Sequence, residues 1–221
     1  MPMYFVKDGD CGTETAFKII AAKWKPQILE VCINKGGASY SEIKQHLTRA
    51  TDAAIVNQLN SLVADGILLK VTIDNDNSFR TVYTISSKAL DITPILSAMQ
   101  QFANKCHEEN PIEYVSAIEY SKKLIGSKWK SRILWVIHKN QSIRFNELNN
   151  SIEGISHKVL SQLLTDMQEN NLVIRTDYNE KSPRVEYRLT TMGNKGYEIV
   201  QALAQWCLEY ELIKPYITIN Y

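Results

Sequence analysis

The sequence predicts a mainly α-helical protein of the α+β type, built from two tandem copies of one module that carries a β-hairpin. Two observations lead to this prediction: a long internal repeat, and in each copy several helical patterns followed by a strand–turn–strand pattern and a last helix. The 221 residues fit two small domains of about 100 residues each. The fractions of hydrophobic (44%) and charged (22%) residues are ordinary for a packed protein.

The internal repeat begins around two Lys-Trp pairs. The stretch KWKPQILEV around Trp24 recurs as KWKSRILWV around Trp129, 105 residues later. The pairs that continue in register are Tyr40/Phe145, Glu42/Glu147, Leu59/Leu164, Leu62/Met167 and Ile67/Leu172. After one deletion the spacing is 104 residues, from Arg80/Arg184 through Phe102/Trp206. We define an N-terminal module (residues 1–107) and a C-terminal module (residues 108–221), joined near Pro111.

The helices of the C-terminal module follow one another over its first sixty residues. Residues 114–125 are amphipathic and predict a helix that ends at Gly126. A second helix, for which Ser131 is the expected cap, carries an apolar face, and Pro26 takes the place of Ser131 in the N-terminal module. A third helix is expected from Phe145 to near Gly154.

The fourth helix and the segment after it complete the pattern. Ser156 is the expected cap, and the apolar residues that follow at helical spacing are Val159, Leu160, Leu163, Leu164 and Met167. Residues 172–178 and 184–189 alternate around a charged tip and predict a β-hairpin, and a last helix is expected from about Thr191. This order describes a winged helix-turn-helix domain with an extra helix at each end.

The charge balance limits the partners. The chain has 25 basic and 24 acidic residues, a formal charge of +1, and each module is balanced, with 11 basic and 10 acidic residues in the first and 14 of each in the second. A protein that coats nucleic acid by bulk charge is therefore excluded, and DNA affinity would have to come from local clusters of cations.

Several other classes of protein lack support. The four cysteines are far apart, and no pattern suits zinc or another metal. Phosphate-binding glycine loops and nucleophile elbows are missing, so we expect neither a cofactor nor an enzyme. The first eight residues include an acid and no apolar run, and no stretch is long enough to span a bilayer. We expect a reduced, cytoplasmic protein without a membrane partner.

The C-terminal module resembles the HxlR family of winged-helix transcriptional regulators along nearly its whole length. The blocks that carry the resemblance are LIGSKW (124–129), RFNEL (144–148), GISHKVL (154–160) and PRVEYRLT (183–190). The N-terminal module matches more loosely but keeps Cys11 thirteen residues before Trp24, where this family often has a cysteine. Family members are usually single modules that form homodimers through their terminal helices, whereas this chain fuses two modules.

The resemblance implies a sequence-specific regulator that binds a double-stranded DNA operator. A recognition helix enters the major groove with its first residues, while the wing and the preceding helix contact phosphates. In the C-terminal module the expected contacts are Arg144, Ser156, His157, Lys158, Ser161, Gln162, Lys181 and Arg184. Lys158 suits phosphate or guanine, and Gln162 suits adenine. Taken alone, these residues also fit a solvated polar helix face.

The N-terminal module has a weaker set of candidates. Its equivalent helix begins with Thr51 and Asp52 and has no cation on its exposed side, and Asp52 would face phosphates unfavourably. The expected contacts are Lys44, Arg49, Thr51, Asn57 and Arg80. This module therefore either contacts bases or serves as a pseudo-partner for the other one.

Two questions follow from the resemblance. The family implies that Cys11 senses oxidants, although a small buried thiol is the plainer interpretation. The two modules are expected to act as an intramolecular pseudo-dimer on an imperfect palindrome, with a homodimer through the terminal helices as a further possibility. The main alternative is a degenerate winged-helix scaffold that binds a protein or a small ligand and no specific DNA.

Overall fold

The computed structural model describes residues 12–75, 78–109, 116–178 and 184–210. The elements of the N-terminal module are α1 (Gly12–Ile20), α2 (Lys25–Lys35), β1 (Ala38–Ser39), α3 (Tyr40–His46), α4 (Asp52–Ala64), β2 (Leu68–Asn75), β3 (Ser78–Ile85) and α5 (Ile92–Glu109). Those of the C-terminal module are α6 (Ala117–Ile125), α7 (Lys128–Asn140), β4 (Ile143–Arg144), α8 (Phe145–Ser151), α9 (His157–Glu169), β5 (Val173–Asp177), β6 (Val185–Leu189) and α10 (Thr191–Glu209). The predicted fold class, two tandem winged helix-turn-helix domains with flanking helices, is confirmed.

Each wing belongs to a three-stranded antiparallel sheet. The strand orders are β1-β3-β2 and β4-β6-β5, and the strand outside each hairpin, β1 or β4, is only two residues long. In the second sheet Ile143 pairs with Tyr187, and in the first Ala38 pairs with Tyr83. The sequence pattern did not predict β1 and β4, because two residues are too few to show alternation.

The start of α7 differs from the prediction. Ser127, and not Ser131, is the N-cap: the Ser127 Oγ accepts a hydrogen bond from the Lys130 N–H at 3.2 Å. Ser131 lies one turn inside the helix, where its buried Oγ donates to the Ile125 carbonyl at 2.9 Å. Both serines precede the apolar run, so residue type alone did not identify the first turn. Pro26 does lie in the first turn of α2, as expected.

Helix α4 and helix α9 are held in the same way. Each buries three side chains toward its own module: Ile55, Leu59 and Leu62 in α4, and Leu160, Leu164 and Met167 in α9. Burying one such side chain contributes about 1.5–3 kcal/mol. The face on the opposite side of each helix is thereby fixed toward solvent.

The terminal helices join the two modules. Helix α1 packs against α10, and α5 packs against both α6 and α10. The Thr13 hydroxyl donates to the Val200 carbonyl at 3.1 Å, and the Ser121 hydroxyl donates to the Met99 carbonyl at 2.7 Å. Thus the first helix of each module lies on the last helix of the other.

The aromatic residues of the last helices lie in this contact region. Phe102 and Trp206 occupy equivalent positions of the repeat and are both buried. The Tyr210 hydroxyl donates to the Asp91 carboxylate, which connects the end of α10 to the segment before α5. The burial of Phe102 and Trp206 indicates that both rings serve packing. The proposed boundary at residues 107 and 108 remains a prediction, and α5 extends to Glu109.

No helix in the described ranges is both long enough and apolar enough to cross a membrane.

Gly126 allows a close approach between the modules, which leads to a first prediction. A Cβ at Gly126 would lie 2.6 Å from the Phe17 Cε2 of α1. Gly126→Ala is therefore expected to lower the free energy of unfolding by about 1–3 kcal/mol through overpacking. Urea denaturation of the full chain measures this loss.

A double-mutant cycle identifies the cause. In a Phe17→Leu background the ring is gone, so Gly126→Ala should cost less than it does in the wild-type chain. Equal costs in both backgrounds would contradict the assignment of the strain to this contact.

Candidate nucleic-acid interface

The exposed face of α9 carries most of the residues predicted to contact DNA. Ser156 caps the helix, because its Oγ accepts a hydrogen bond from the Val159 N–H at 3.3 Å. The residues exposed along this face are Ser156, His157, Lys158, Ser161, Gln162 and Thr165. The structure therefore brings six polar side chains together at a solvent-facing helix, with the positive end of the helix dipole at its start.

His157 and Lys158 begin this helix. The His157 imidazole lies edge-on to the Phe145 ring, with 5.5 Å between the ring centroids. Lys158 is exposed and pairs with no carboxylate of the described residues. The first turn of α9 thus presents an ammonium group that can reach an external anion.

Arg144 and Arg184 lie on either side of α9 in the sequence, and they differ in their contacts. Arg144 is exposed next to α8, where its backbone N–H donates to the Glu147 carboxylate at 3.1 Å. The Arg184 guanidinium instead contacts Glu186 Oε1 through Nε at 2.8 Å and through Nη2 at 2.7 Å. It also lies 4.5 Å from the centroid of the Tyr178 ring. A phosphate would therefore have to compete with Glu186 for Arg184.

Glu186 is a highly stabilised carboxylate. The Ser142 hydroxyl donates to it at 2.7 Å, and Arg184 and the Tyr178 hydroxyl donate as well. The hydrogen bond from Ser142, followed by that from Arg184, lowers the pKa of Glu186 to about 2. Glu186 is therefore ionised at every pH at which the protein is expected to work, and it holds the Arg184 guanidinium near the tip of the wing.

Helix α4 is the counterpart of α9 and begins with an acid. Thr51 caps it, accepting a hydrogen bond from the Ala54 N–H at 3.3 Å. Asp52 and Ala53 stand where α9 has His157 and Lys158. Asn57 is exposed on the same helix. The first turn of α4 is therefore negatively charged where that of α9 carries a cation.

Asp52 also binds a cation that the sequence assigned to DNA. The Lys44 ammonium lies 2.8 Å from Asp52 Oδ1 and donates to the Ala50 carbonyl at the same distance. The Tyr40 hydroxyl donates to Asp52 at 2.7 Å. These contacts, with the Lys44 hydrogen bond contributing most, lower the pKa of Asp52.

Glu42 holds the other predicted cation of this module. Its carboxylate accepts from Arg80 at 2.6 Å and from Lys35 at 3.2 Å, while the Ser39 hydroxyl donates at 2.7 Å. The Ser39 contacts, followed by those of the two cations, hold the pKa of Glu42 far below its usual range. Of the predicted contacts in this module, Arg49 is an exposed cation with no carboxylate partner among the described residues.

Sequence reasoning identified the cations but missed the carboxylates that bind them. The Ser39-x-x-Glu42 pattern is a capping box, and it was the available signal for a fixed carboxylate at the start of α3. The Arg80–Glu42 contact spans 38 residues of sequence, so only the fold reveals it. Two further candidates, Lys181 and Cys11, lie outside the described residues.

The cysteines that the structure describes are buried: Cys32, Cys106 and Cys207. Burial raises the pKa of the Cys32 thiol to about 12. Cys32 is therefore a thiol and not a reactive thiolate near neutral pH.

Comparison with known proteins matches both modules to the same family. The model of the HxlR-like helix-turn-helix family matches residues 19–111 and again residues 124–213. The MalR protein of Fusobacterium mortiferum is 37% identical over 98 residues, which is 44% of this chain and 92% of MalR. The uncharacterised HTH-type transcriptional regulator YkvN of Bacillus subtilis is 34% identical over 113 residues, 47% of this chain and 95% of YkvN.

Among solved structures, the reduced form of the transcriptional regulator YodB from B. subtilis is 27% identical. The match has a TM-score of 0.39 and covers 43% of this chain and 92% of that one. MalR and YkvN, which are matched over 92% and 95% of their own lengths, have about the length of one module.

The Glu186 carboxylate of the C-terminal wing gives a second prediction. Ser142→Ala removes the largest cause of the lowered pKa of Glu186, so this pKa should rise from about 2 toward its ordinary value. Because the pKa is lowered in the folded state, the associated stabilisation is present above the unfolded pKa and is lost as the pH falls through about 2. Titration of the Glu186 carboxyl by NMR measures the change.

Ser151→Ala is the matched control, because the Ser151 hydroxyl donates to the Glu147 carbonyl and does not touch Glu186. An unchanged Glu186 pKa in Ser142→Ala would show that this hydrogen bond is not its cause.

Proposed function

The chain belongs to the HxlR-like helix-turn-helix family, and from this premise we propose that it is a sequence-specific transcriptional regulator that binds DNA as an intramolecular pseudo-dimer. The observation that carries the proposal is the exposed first turn of α9, where Ser156, His157 and Lys158 face solvent on a helix that its buried side fixes in place. Short polar side chains and one cation at the start of such a helix suit the major groove.

The packing of the terminal helices supports the pseudo-dimer. The two modules exchange equivalent contacts. The first helix of the N-terminal module, α1, packs against the last helix of the C-terminal module, α10, and the first helix of the C-terminal module, α6, packs against the last helix of the N-terminal module, α5. Such an exchange is what a two-fold axis produces in a dimer of identical chains. A single chain would then present α4 and α9 to neighbouring major grooves, with half-sites about 34 Å apart on an imperfect palindrome.

The two modules would contribute unequally. In the C-terminal module Lys158 and Arg144 have no carboxylate partner among the described residues. In the N-terminal module Lys44 and Arg80 are bound to Asp52 and Glu42. Since each contact with a phosphate requires a cation that is available, most of the affinity should come from the C-terminal module.

The expected inducer stays open, and Cys11 remains the proposed thiol sensor on the strength of the family resemblance alone. The homodimer through terminal helices also remains a proposal. In this chain the corresponding helices already pack against each other across the two modules.

Removing the cations of the C-terminal module tests the function directly. Lys158→Ala combined with Arg144→Ala, which removes the two cations that have no carboxylate partner among the described residues, should weaken binding to a selected operator by about 10- to 100-fold and reduce the slope of log K against log salt by about 2. Fluorescence anisotropy over a salt series measures both quantities.

The control is the pair Lys123→Ala and Lys105→Ala, which removes the same charge from α6 and α5. Exposed Lys123 and Lys105 lie outside both recognition helices, so this variant should keep the salt slope of the wild type. Equal losses in the two double variants would argue that only overall charge matters.

A reciprocal exchange of the first turns tests the inequality of the modules. Asp52→His with Ala53→Lys gives α4 the first turn of α9, and this variant should bind its half-site more tightly and protect it more fully. His157→Asp with Lys158→Ala should weaken protection of the stronger half-site. Hydroxyl-radical footprinting on the operator reads each half-site separately.

A single protected half-site in every variant would contradict two working readers. It would indicate that the N-terminal module is a pseudo-partner that contacts no bases. Protection of neither half-site would favour the second candidate function, a degenerate winged-helix scaffold that binds a protein or a small ligand and no specific DNA. The specific observation for that candidate is that Lys44 and Arg80 are already paired within the chain.

A further inference from the structure

Strand β2 forms the open edge of the N-terminal sheet. The order β1-β3-β2 gives β2 one neighbour, and it pairs with β3 over all eight residues, from Leu68 opposite Ile85 to Asn75 opposite Ser78. Within the described residues no strand pairs with its outer edge. Such an edge offers a row of backbone donors and acceptors to another strand.

One face of β2 exposes three apolar side chains. Leu69, Val71 and Ile73 alternate along one face and are 48%, 40% and 42% exposed. Phe79, near the tip of the hairpin, is 79% exposed. Proteins usually protect open edges with charges, prolines or short strands, and this face has none of these at its three alternating positions.

The wing of the C-terminal module is different, although the two sequences are aligned. Strand β5 has five residues where β2 has eight. Thr176 and Tyr178 stand where β2 has Val71 and Ile73, and the Arg184 guanidinium covers the Tyr178 ring. Only the first position matches, because Ile174 is 48% exposed, as Leu69 is. The apolar edge is thus a property of the N-terminal wing.

We propose that β2 is a docking strand for β2 of a second copy of this chain, with the two strands antiparallel and a two-fold axis at Thr72. This register places Lys70 of one copy opposite Asp74 of the other, and Val71 opposite Ile73. Because the contact is isologous, each of these pairs occurs twice. Opposite charges and β-branched residues in directly facing positions stabilise an antiparallel pair.

The charge pattern favours a second copy over an unrelated partner. Lys70 and Asp74 each lie two residues from Thr72, so β2 is complementary to itself in the antiparallel direction about that residue. Lys70 is exposed and has no carboxylate partner among the described residues. Its charge is therefore available, and a second β2 provides an aspartate at the matching position.

The contact would join two chains through their N-terminal modules and leave both α9 helices outside it. It requires no DNA, and it therefore goes beyond the regulator function proposed above and can fail independently of it.

Charge reversal with complementation tests the proposal. Free wild-type protein at micromolar concentrations should sediment as a dimer. Lys70→Asp alone places like charges opposite each other, as does Asp74→Lys alone, and each variant should weaken the dimer by at least about tenfold. An equimolar mixture of the two variants should form heterodimers, because every facing pair again has opposite charges.

The mixture guards against a folding defect, since misfolded chains would not complement each other. Leu69→Lys and Ile174→Lys are a matched pair at equivalent positions with equal exposure, and only Leu69→Lys should dissociate the dimer.

A wild-type chain that remains monomeric overturns the proposal, even if it captures another protein. A wild-type dimer that survives both charge reversals also overturns it, because the contact then lies elsewhere. Operator binding by the same variants reports on the regulator function separately.

Discussion

The packing of the first helix of each module against the last helix of the other is the contact on which the rest of the structure depends. Each winged-helix module is small, and the buried side chains of both modules belong to one connected hydrophobic core. Phe17 lies against Gly126, and Gly196 leaves room for Ile125 and Phe102, so helices of both modules approach closely. Since α4 and α9 are anchored to this shared interior by their own buried sides, the distance between these two helices is set by packing.

The two modules share one helix-capping interaction, but the ion pairs around it differ. A glutamate three residues into α3 and α8 accepts from the backbone N–H of Ser39 and Arg144 in turn. In the N-terminal module Glu42 also binds Arg80 of the wing. In the C-terminal module the equivalent Arg184 binds Glu186, two residues later in the sequence. Glu186 stands where the N-terminal module has Val82. This difference accompanies a change in the carboxylate that the wing arginine binds.

The sequence was sufficient for local features and insufficient for contacts across the chain. Ser156 was recognised as a helix cap because it precedes an apolar pattern at helical spacing, and the hairpins followed from alternation. Ser131 was misassigned because Ser127, four residues earlier, is an equally good cap by residue type. The pairing of Lys44 with Asp52 and of Arg80 with Glu42 depends on distances that only the folded chain defines. The residues proposed to contact DNA are therefore predicted by type, while their availability is a property of the tertiary structure.

The different first turns of α4 and α9 have a consequence for evolution and for orientation. In a dimer of identical chains, any change at the start of the recognition helix appears in both half-sites at once. Here Asp52 and His157 belong to separate positions of one chain, so each can change alone. Under the DNA-binding mode proposed above, the two ends of the protein would differ on DNA, and it would bind an asymmetric site in one direction only. Its orientation relative to a neighbouring promoter would then be encoded in the operator itself.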